Sequence, residues 1–416
     1  MSQEYAVNKF KVNGITVLHY PTSSKVTNIR INVLCGACNE SKNEHGIAHF
    51  LEHLIFSGTP THSSAQFTQL MSFLGAPYNA YTSDDVTCFY ASVLQPNVEE
   101  VFRLLTDLVY NADFADKDVE RERKIILEEV TAHEDNIDSA VFTEAMDSFV
   151  RTSFNSSVIG NQKDIKKITR KQLLNFKKKW YNRNNIQISI ASDLPLADVK
   201  RIAKKYTKAL PDGEDSLEYN RNIKVDFNFK TLTIKKEGIQ QAKYLLFMPA
   251  EIVGKGVSKE LCAQSVFLFM LGGNQSSILF QEVREKKALC YNIQAQLSCC
   301  LHYNYALVGA ELDPSKIEEL EKTWQEIKEN IDQHINDDTL AMFRNSILAL
   351  MAMNNETSVG MNSTSLEELR GWSGFLNQTL EKTQQLTVQD IKDAAVKMLN
   401  GPVKKVLVLP KEKRKK

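Results

Sequence analysis

His49-Phe-Leu-Glu52-His53 sits inside the apolar run Ile47–Phe56. On a helix, side chains four apart share one face, so His49 and His53 can chelate one cation through neutral imidazoles. Glu52 lies beside that position, oriented to engage a water bound there. The order is the reverse of the H-E-x-x-H helix of zinc hydrolases. A hydrolytic zinc site also needs a third protein ligand and one open position. The segment from Glu120 to Val130 offers carboxylates for it. Glu122 and Glu129 are two helical turns apart on one face, whereas Glu128 is rotated by about 100°. Ile125, Ile126 and Val130 predict that this helix packs against a partner. Taken alone, its alternating charges read as a solvated face with i,i+4 pairs.

Other reactive residues carry less. His45 is cut off from the periodic segment by Gly46 and is expected as a solvent-exposed helix-entry residue. His19, His62, His133, His302 and His334 have no ligand-like partners and are expected at the surface. Cys35-Gly-Ala-Cys38 has redox-motif spacing, but it follows the strand-like run Ile29–Leu34 and reads as a pair of buried or half-buried thiols. A thiol redox protein would rest on these two residues only. Cys299 and Cys300 are likewise expected as buried thiols. Seven cysteines, an odd number scattered along the chain, point to reduced thiols in a cytosol-like compartment, hence a cytoplasmic protein.

The elements that must position the motif read as one plan written twice. Alternation through Phe10–Leu18 and Asn28–Leu34 predicts strands. Helices follow at Ile47–Phe56 and Ser64–Leu74, strands at Asn79–Thr82 and Val86–Leu94, and a long helix at Val98–Val109. The second half repeats the order. Strands lie at Thr231–Lys235 and Ala242–Pro249, helices at Glu260–Leu271 and Ile278–Lys286, strands at Asn292–Leu297 and Ala306–Leu312, and a helix at Pro314–Ile331. This predicts an α+β fold of two homologous domains, each a mainly antiparallel sheet packed with helices, produced by internal duplication. The expected boundaries are 1–212 for the zinc-bearing domain, 213–228 for a polar linker and 229–416 for the second domain.

Composition excludes other classes. The chain has 416 residues, with 51 Lys plus Arg against 51 Asp plus Glu. Zero net charge argues against a global grip on nucleic acid or anionic membrane. No apolar run approaches the ~18 residues of a membrane span. The basic end, Lys411–Lys416, reads as a solvated tail.

These motifs together resemble the pitrilysin, or M16, metallopeptidase family, in its short, processing-peptidase form. The resemblance rests on His49-x-x-Glu52-His53 with its flanking Gly46–Thr59, on Glu129 preceded by Glu122, and on Asn79-Ala-Tyr-Thr82. It extends to Tyr181-Asn-Arg-Asn-Asn185, and to Gly273–Phe280 followed by Arg284 through Tyr291. It implies one Zn2+ per chain held by His49, His53 and Glu129, with Glu52 as general base and Glu122 as a supporting carboxylate. Arg284 and Tyr291 are implied to hold the substrate carbonyl or oxyanion. Asn79, Ala80, Tyr81 and Thr82 are implied to pair with a bound peptide. From the residues alone, the competing reading of Tyr291 is a strand tyrosine in the core.

The implied function is a zinc-dependent endopeptidase that cuts unfolded peptides or small extended polypeptides inside a closed chamber. The runner-up is a non-catalytic core subunit serving assembly or peptide binding. A chain of this length has room for two such domains, so the resemblance implies a homodimer. Gly272-Gly273 lacks Walker or Rossmann context and reads as a flexible turn over that chamber. In the mitochondrial processing branch, acids flank a Val-Phe pair and read a substrate arginine. Here Ser139 and Thr143 flank Val141-Phe142, which removes the reason to expect arginine selection.

Overall fold

The computed structural model describes residues 5–152, 157–208, 210, 211, 213, 224–251, 256–300, 302–370, 372 and 374–411. Most of the expected linker 213–228 and residues 412–416 of the basic tail lie outside the described residues.

Two sheets organise the chain. Strands β1 (Asn8–Val12) and β2 (Ile15–Pro21) form a hairpin across Asn13 and Gly14. Both turn residues have positive φ, 49° and 83°, as a two-residue turn between twisted strands requires. Strands β3 (Val26–Val33), β4 (Tyr78–Thr82) and β5 (Thr87–Leu94) follow, then the short β6 (Val150–Arg151) and β7 (Ile186–Ser192). The first sheet runs β1-β2-β7-β3-β5-β4, leaving β4 at an edge. After the two-residue β8 (Asp226–Phe227), which pairs with β6, come β9 (Leu232–Lys236), β10 (Ala242–Ala250) and β11 (Cys290–Cys299). The last two are β12 (Asn304–Leu312) and β13 (Lys404–Pro410). The second sheet runs β11-β12-β10-β13-β9.

Read from its other edge, β9-β13-β10-β12-β11 matches β2-β7-β3-β5-β4 strand for strand. Each sheet also has one parallel pair at the same place, β2 with β7 and β9 with β13, among antiparallel neighbours. The duplication is thus written in the hydrogen-bond topology.

In the first half, α1 (Ile47–Ile55) and α2 (Ser64–Phe73) connect β3 to β4, and α3 (Val98–Asn111) follows β5. Two more helices, α4 (Asp116–Asp135) and α5 (Ile137–Phe149), complete the part that matters for the site. In the second half, Lys259–Gly272 stands in the place of α1 and Ile317–Glu329 in that of α3. The expected helix at Ile278–Lys286 contains a π-helix at Phe280–Glu285, in the place of α2. The expected helix at Pro314–Ile331 begins as a 3-10 turn, Pro314–Lys316, because Pro314 follows the capping residue Asp313.

The halves exchange cover. Helix α5 lays Val141, Ala145 and Phe149 on the second sheet, against Phe247, Tyr305, Val406 and Val408. In return, residues 358–363 sit on β3 and β7, where Asn362 Nδ2 donates to Asn28 O (3.0 Å) and Ser189 O (3.2 Å). Each sheet therefore needs a helix from the other half to bury its open face, so the two cores depend on one another. No helix among the described residues is long and apolar enough to cross a membrane.

Several surface expectations give way. His19 is 1% exposed, its ring between Asn8 Nδ2 and Ser192 Oγ at 3.4 Å each. His302 is also buried, and His45 is half-buried beside Glu40. Gly272 is not a flexible turn: a Cβ there would come within 2.3 Å of Ala295 N, so glycine lets the helix end meet β11. All seven cysteines are free; Cys35 lies in the core, Cys38 and Cys300 are half-buried, and Cys299 is exposed, not buried as expected.

Candidate metal centre

Helix α1 is buried on nearly every side, with Ile47, Phe50, Leu51, Leu54 and Ile55 at 0% exposure. It starts at Gly46, whose φ of 90° is a left-handed conformation that favours glycine. The first turn leaves backbone N–H groups without intrahelical partners. Glu40 meets two of them: Gly46 N donates to Oε2 (2.9 Å) and Ala48 N to Oε1 (3.1 Å). Burial pushes the Glu40 carboxyl up to about 8, against the pull of those two amides.

Helix α4 crosses α1 and buries Val119, Ile126 and Val130. Ile125, expected to pack as well, is 45% exposed, because it falls about 100° off that stripe. The Arg123 guanidinium locks α4 in place by donating to the carbonyls of Ile165 and Ile168 and lying 5.3 Å over the Phe50 ring. That contact ties α4 directly to the helix carrying the histidines.

The crossing brings His49, His53 and Glu129 together, their ligand atoms within 4.8 Å of one another. His49 Nε2 is 3.8 Å from Glu129 Oε1, and His53 Nε2 is 3.6 Å from Glu129 Oε2. Glu122 Oε2 stands 3.6 Å from the other ring nitrogen of His53, and Arg121 Nε donates to Glu122 Oε1 at 3.0 Å. Thr82 Oγ1, on the edge strand β4, donates to Glu52 Oε2 at 2.7 Å. Glu128 is exposed and outside the group.

The electrostatics follow from the crowding. Burial, aided by His53, drives His49 down to about 3, so it is a neutral imidazole near pH 7. Burial works against protonation of His53, but the Glu122 contact and the charges of Glu52 and Glu129 outweigh it and raise its value. Burial raises the Glu52 carboxyl, opposed by Thr82 and His53 and reinforced by Glu129. Burial also works to raise Glu122, and the His53 contact and Arg121 override it, keeping Glu122 ionised.

Two imidazoles and a carboxylate suit a divalent zinc ion: bonds of roughly 2.0–2.2 Å to each donor need donors a little over 3 Å apart. Contacts of 3.6 and 3.8 Å, longer than hydrogen bonds, are near that spacing. Of the two glutamates left open by helix geometry, Glu129 faces both histidines and Glu122 stands behind one of them.

The other predicted residues lie elsewhere. Arg284, in the π-helix, places its guanidinium 5.0 Å over the Tyr291 ring and 4.4 Å over Phe280. Tyr291 is 79% exposed at the start of edge strand β11, not a core tyrosine. Among the described residues, the Arg284 side chain meets Tyr291, Phe280 and Glu285. Asn79–Thr82 lie in β4, where Thr82 donates to Glu52. Ser139 and Thr143 lie on α5 beside Phe142, which faces a cleft with Lys243, Asn292 and Gln294. Glu40, Arg121 and Arg123 were missed by the reading of the sequence. An acid shortly before a glycine-started helix is the one signal that points to Glu40.

Comparison with known proteins bears on the family and the fold. Residues 15–162 match the model of the insulinase family, peptidase family M16, and residues 167–347 match that of the M16 peptidase inactive domain. An uncharacterized zinc protease of Rickettsia felis is 24% identical, over 100% of both chains. Another from Bacillus subtilis is 26% identical, over 76% of this chain and 75% of that one. A probable mitochondrial-processing peptidase β subunit of Arabidopsis thaliana is 28% identical, over 53% of this chain and 42% of its own. The crystal structure of a Helicobacter pylori protease shares the fold with a TM-score of 0.88 at 20% identity, covering 98% of this chain and 100% of that one. With both family models matched in order and the duplicated fold in place, the chain belongs to peptidase family M16.

Proposed function

We propose that this chain is a zinc-dependent endopeptidase acting on unfolded peptides or small extended polypeptides. One observation carries the reading: His49, His53 and Glu129 gather their ligand atoms within 4.8 Å, with Glu52 beside them on the same helix. Relatives named zinc proteases support it. The intact ligand trio argues against a non-catalytic core subunit.

Zinc bound by these residues supplies Lewis-acid polarisation of the scissile carbonyl and acidifies the attacking water. Glu52 takes that water's proton and returns it to the leaving amine. Burial raises its affinity for a proton above that of an ordinary carboxylate. Glu122 holds His53 in the tautomer that turns Nε2 towards Glu129. The open edge of β4 accepts an extended peptide as an added strand, through main-chain hydrogen bonds that read shape before sequence. Folded proteins, which cannot present such a strand, are excluded. The exposed Tyr291 phenol, with Arg284 over its ring, would hold the substrate carbonyl as the two halves face one another.

A homodimer forming a closed chamber is the assembly we propose, since each chain carries both the metal-binding group and the Arg284–Tyr291 pair. Seven free thiols support a reducing, cytoplasmic setting. Metal analysis of the purified protein, with cleavage of a quenched unstructured peptide before and after chelation, tests the proposal. About one zinc per chain, with activity lost on chelation and restored by Zn2+, is expected. Undiminished cleavage by metal-free protein contradicts it.

A further inference from the structure

We propose that the buried Asp85–Arg370 ion pair is a latch by which the second half of the chain positions Glu52. The inference rests on Glu52 being the general base, as proposed above. Arg370 Nε donates to Asp85 Oδ2 at 3.0 Å and Nη2 to Oδ1 at 3.2 Å, a two-pronged pair with side chains 11% and 3% exposed. Such a planar fork fixes direction as well as distance.

Asp85 sits in the turn between β4 and β5. Its Oδ1 also accepts from Ser83 Oγ at 3.0 Å, and Ser83 Oγ in turn accepts from Val86 N at 3.2 Å. Ser83 adjoins Thr82, whose hydroxyl donates to Glu52. From Arg370 to Glu52, the connection therefore runs through Asp85, Ser83 and Thr82 without a gap.

Arg370 is itself anchored. The preceding residues are seated on the first sheet by Asn362, and by Ser189 Oγ donating to Ser365 Oγ at 3.0 Å. Glu367 accepts from Arg370 Nη1 at 3.2 Å and steadies the guanidinium. On the far side, Ala37 N and Cys38 N donate to Ser83 O (3.1 Å) and Asp84 O (2.8 Å). A Cβ on Gly36 would come within 2.2 Å of Ser83 O, so this backing is close. The turn is clamped between the loop that leads to α1 and a residue from the far half of the chain.

Asp85 and Arg370 are positioning residues: they act on Glu52 through Thr82. Displacing a base by about 1 Å costs on the order of 10–100-fold in turnover while leaving peptide binding nearly intact. The test uses the full chain with Arg370→Met, Arg370→Lys, Asp85→Asn and the double variant, which removes both charges of the Asp85–Arg370 pair and leaves Glu367 without its Arg370 contact. Arg370→Met is expected to lower kcat at least about tenfold with KM within about twofold. Arg370→Lys should recover part of the loss. The double variant should be no worse than the poorer single one, as for residues acting as a unit. Amide exchange at residues 82–87 of the metal-free protein should quicken in Arg370→Met, with the rest of the chain unchanged.

The exchange measurement needs no activity. If the wild type cleaves nothing, the enzymatic reading fails, and exchange alone still decides whether the latch holds the turn. Unchanged exchange at 82–87, unchanged kcat in an active enzyme, or a loss of protection across the whole chain overturns the latch.

Discussion

Glu122 Oε2 lies 3.6 Å from Nδ1 of His53, while Nε2 of the same ring lies 3.6 Å from Glu129. Two glutamates seven apart on α4 thus take opposite edges of one imidazole. If zinc binds at Nε2, Glu122 is placed to take the proton that stays on Nδ1. A supporting carboxylate of this kind raises ligand basicity and fixes ring orientation. Glu122→Gln keeps the shape and removes the charge. Its zinc affinity, measured against a chromophoric chelator, should fall about 10–100-fold. An unchanged affinity would remove Glu122 from the site.

Glu40 predicts a pH dependence. Burial raises its carboxyl from an ordinary value of 4.5 to about 8. Between those values the folded chain holds a proton that the unfolded chain has released, so Glu40 makes stability fall as pH rises through that window. In metal-free protein, denaturant titrations of Glu40→Gln should gain on the wild type from pH 5 to pH 8. A constant gap across that range would show that Glu40 titrates normally.

Gly46 starts the histidine helix at φ 90°, and a Cβ there would come within 2.6 Å of Ile165 and 2.9 Å of Gly160 Cα. Gly46→Ala combines left-handed strain with overpacking against backbone. Urea unfolding of the metal-free protein should show a loss of roughly 2–5 kcal/mol. A loss below about 0.5 kcal/mol, the size of an ordinary surface substitution, would mean that the helix start can shift freely.

Much of this was legible in the sequence, and for identifiable reasons. The His49, Glu52 and His53 spacing maps directly onto a 3.6-residue period, and so does the shared face of Glu122 and Glu129. The repeat was legible because strand and helix patterns recur in order. What escaped was non-local. The Thr82–Glu52 bond joins residues 30 apart, and Arg370–Asp85 joins residues 285 apart. Nothing in the pattern around His19 announces that β7 will cover it through Ser192. Strand β13 was also missed, because Lys404 and Lys405 break the apolar pattern at its start. In the fold, Lys404 is 2% exposed with its ammonium on Ser148 O, and Lys405 pairs with Glu321. A long stem lets lysine enter a central strand when its head finds an acceptor. Ile125 shows the reverse: an apolar residue one position off the buried stripe stays at the surface.

The central claim is that Glu52 moves the proton in a zinc-dependent hydrolysis. Glu52→Gln keeps the side chain's size and its contact with Thr82, and leaves His49, His53 and Glu129 in place. The decisive measurement is turnover of a quenched unstructured peptide by this variant, with zinc content determined on the same sample. The account predicts about one zinc per chain, as in the wild type, with kcat reduced at least 100-fold. Zinc-loaded Glu52→Gln cleaving at the wild-type rate would contradict it.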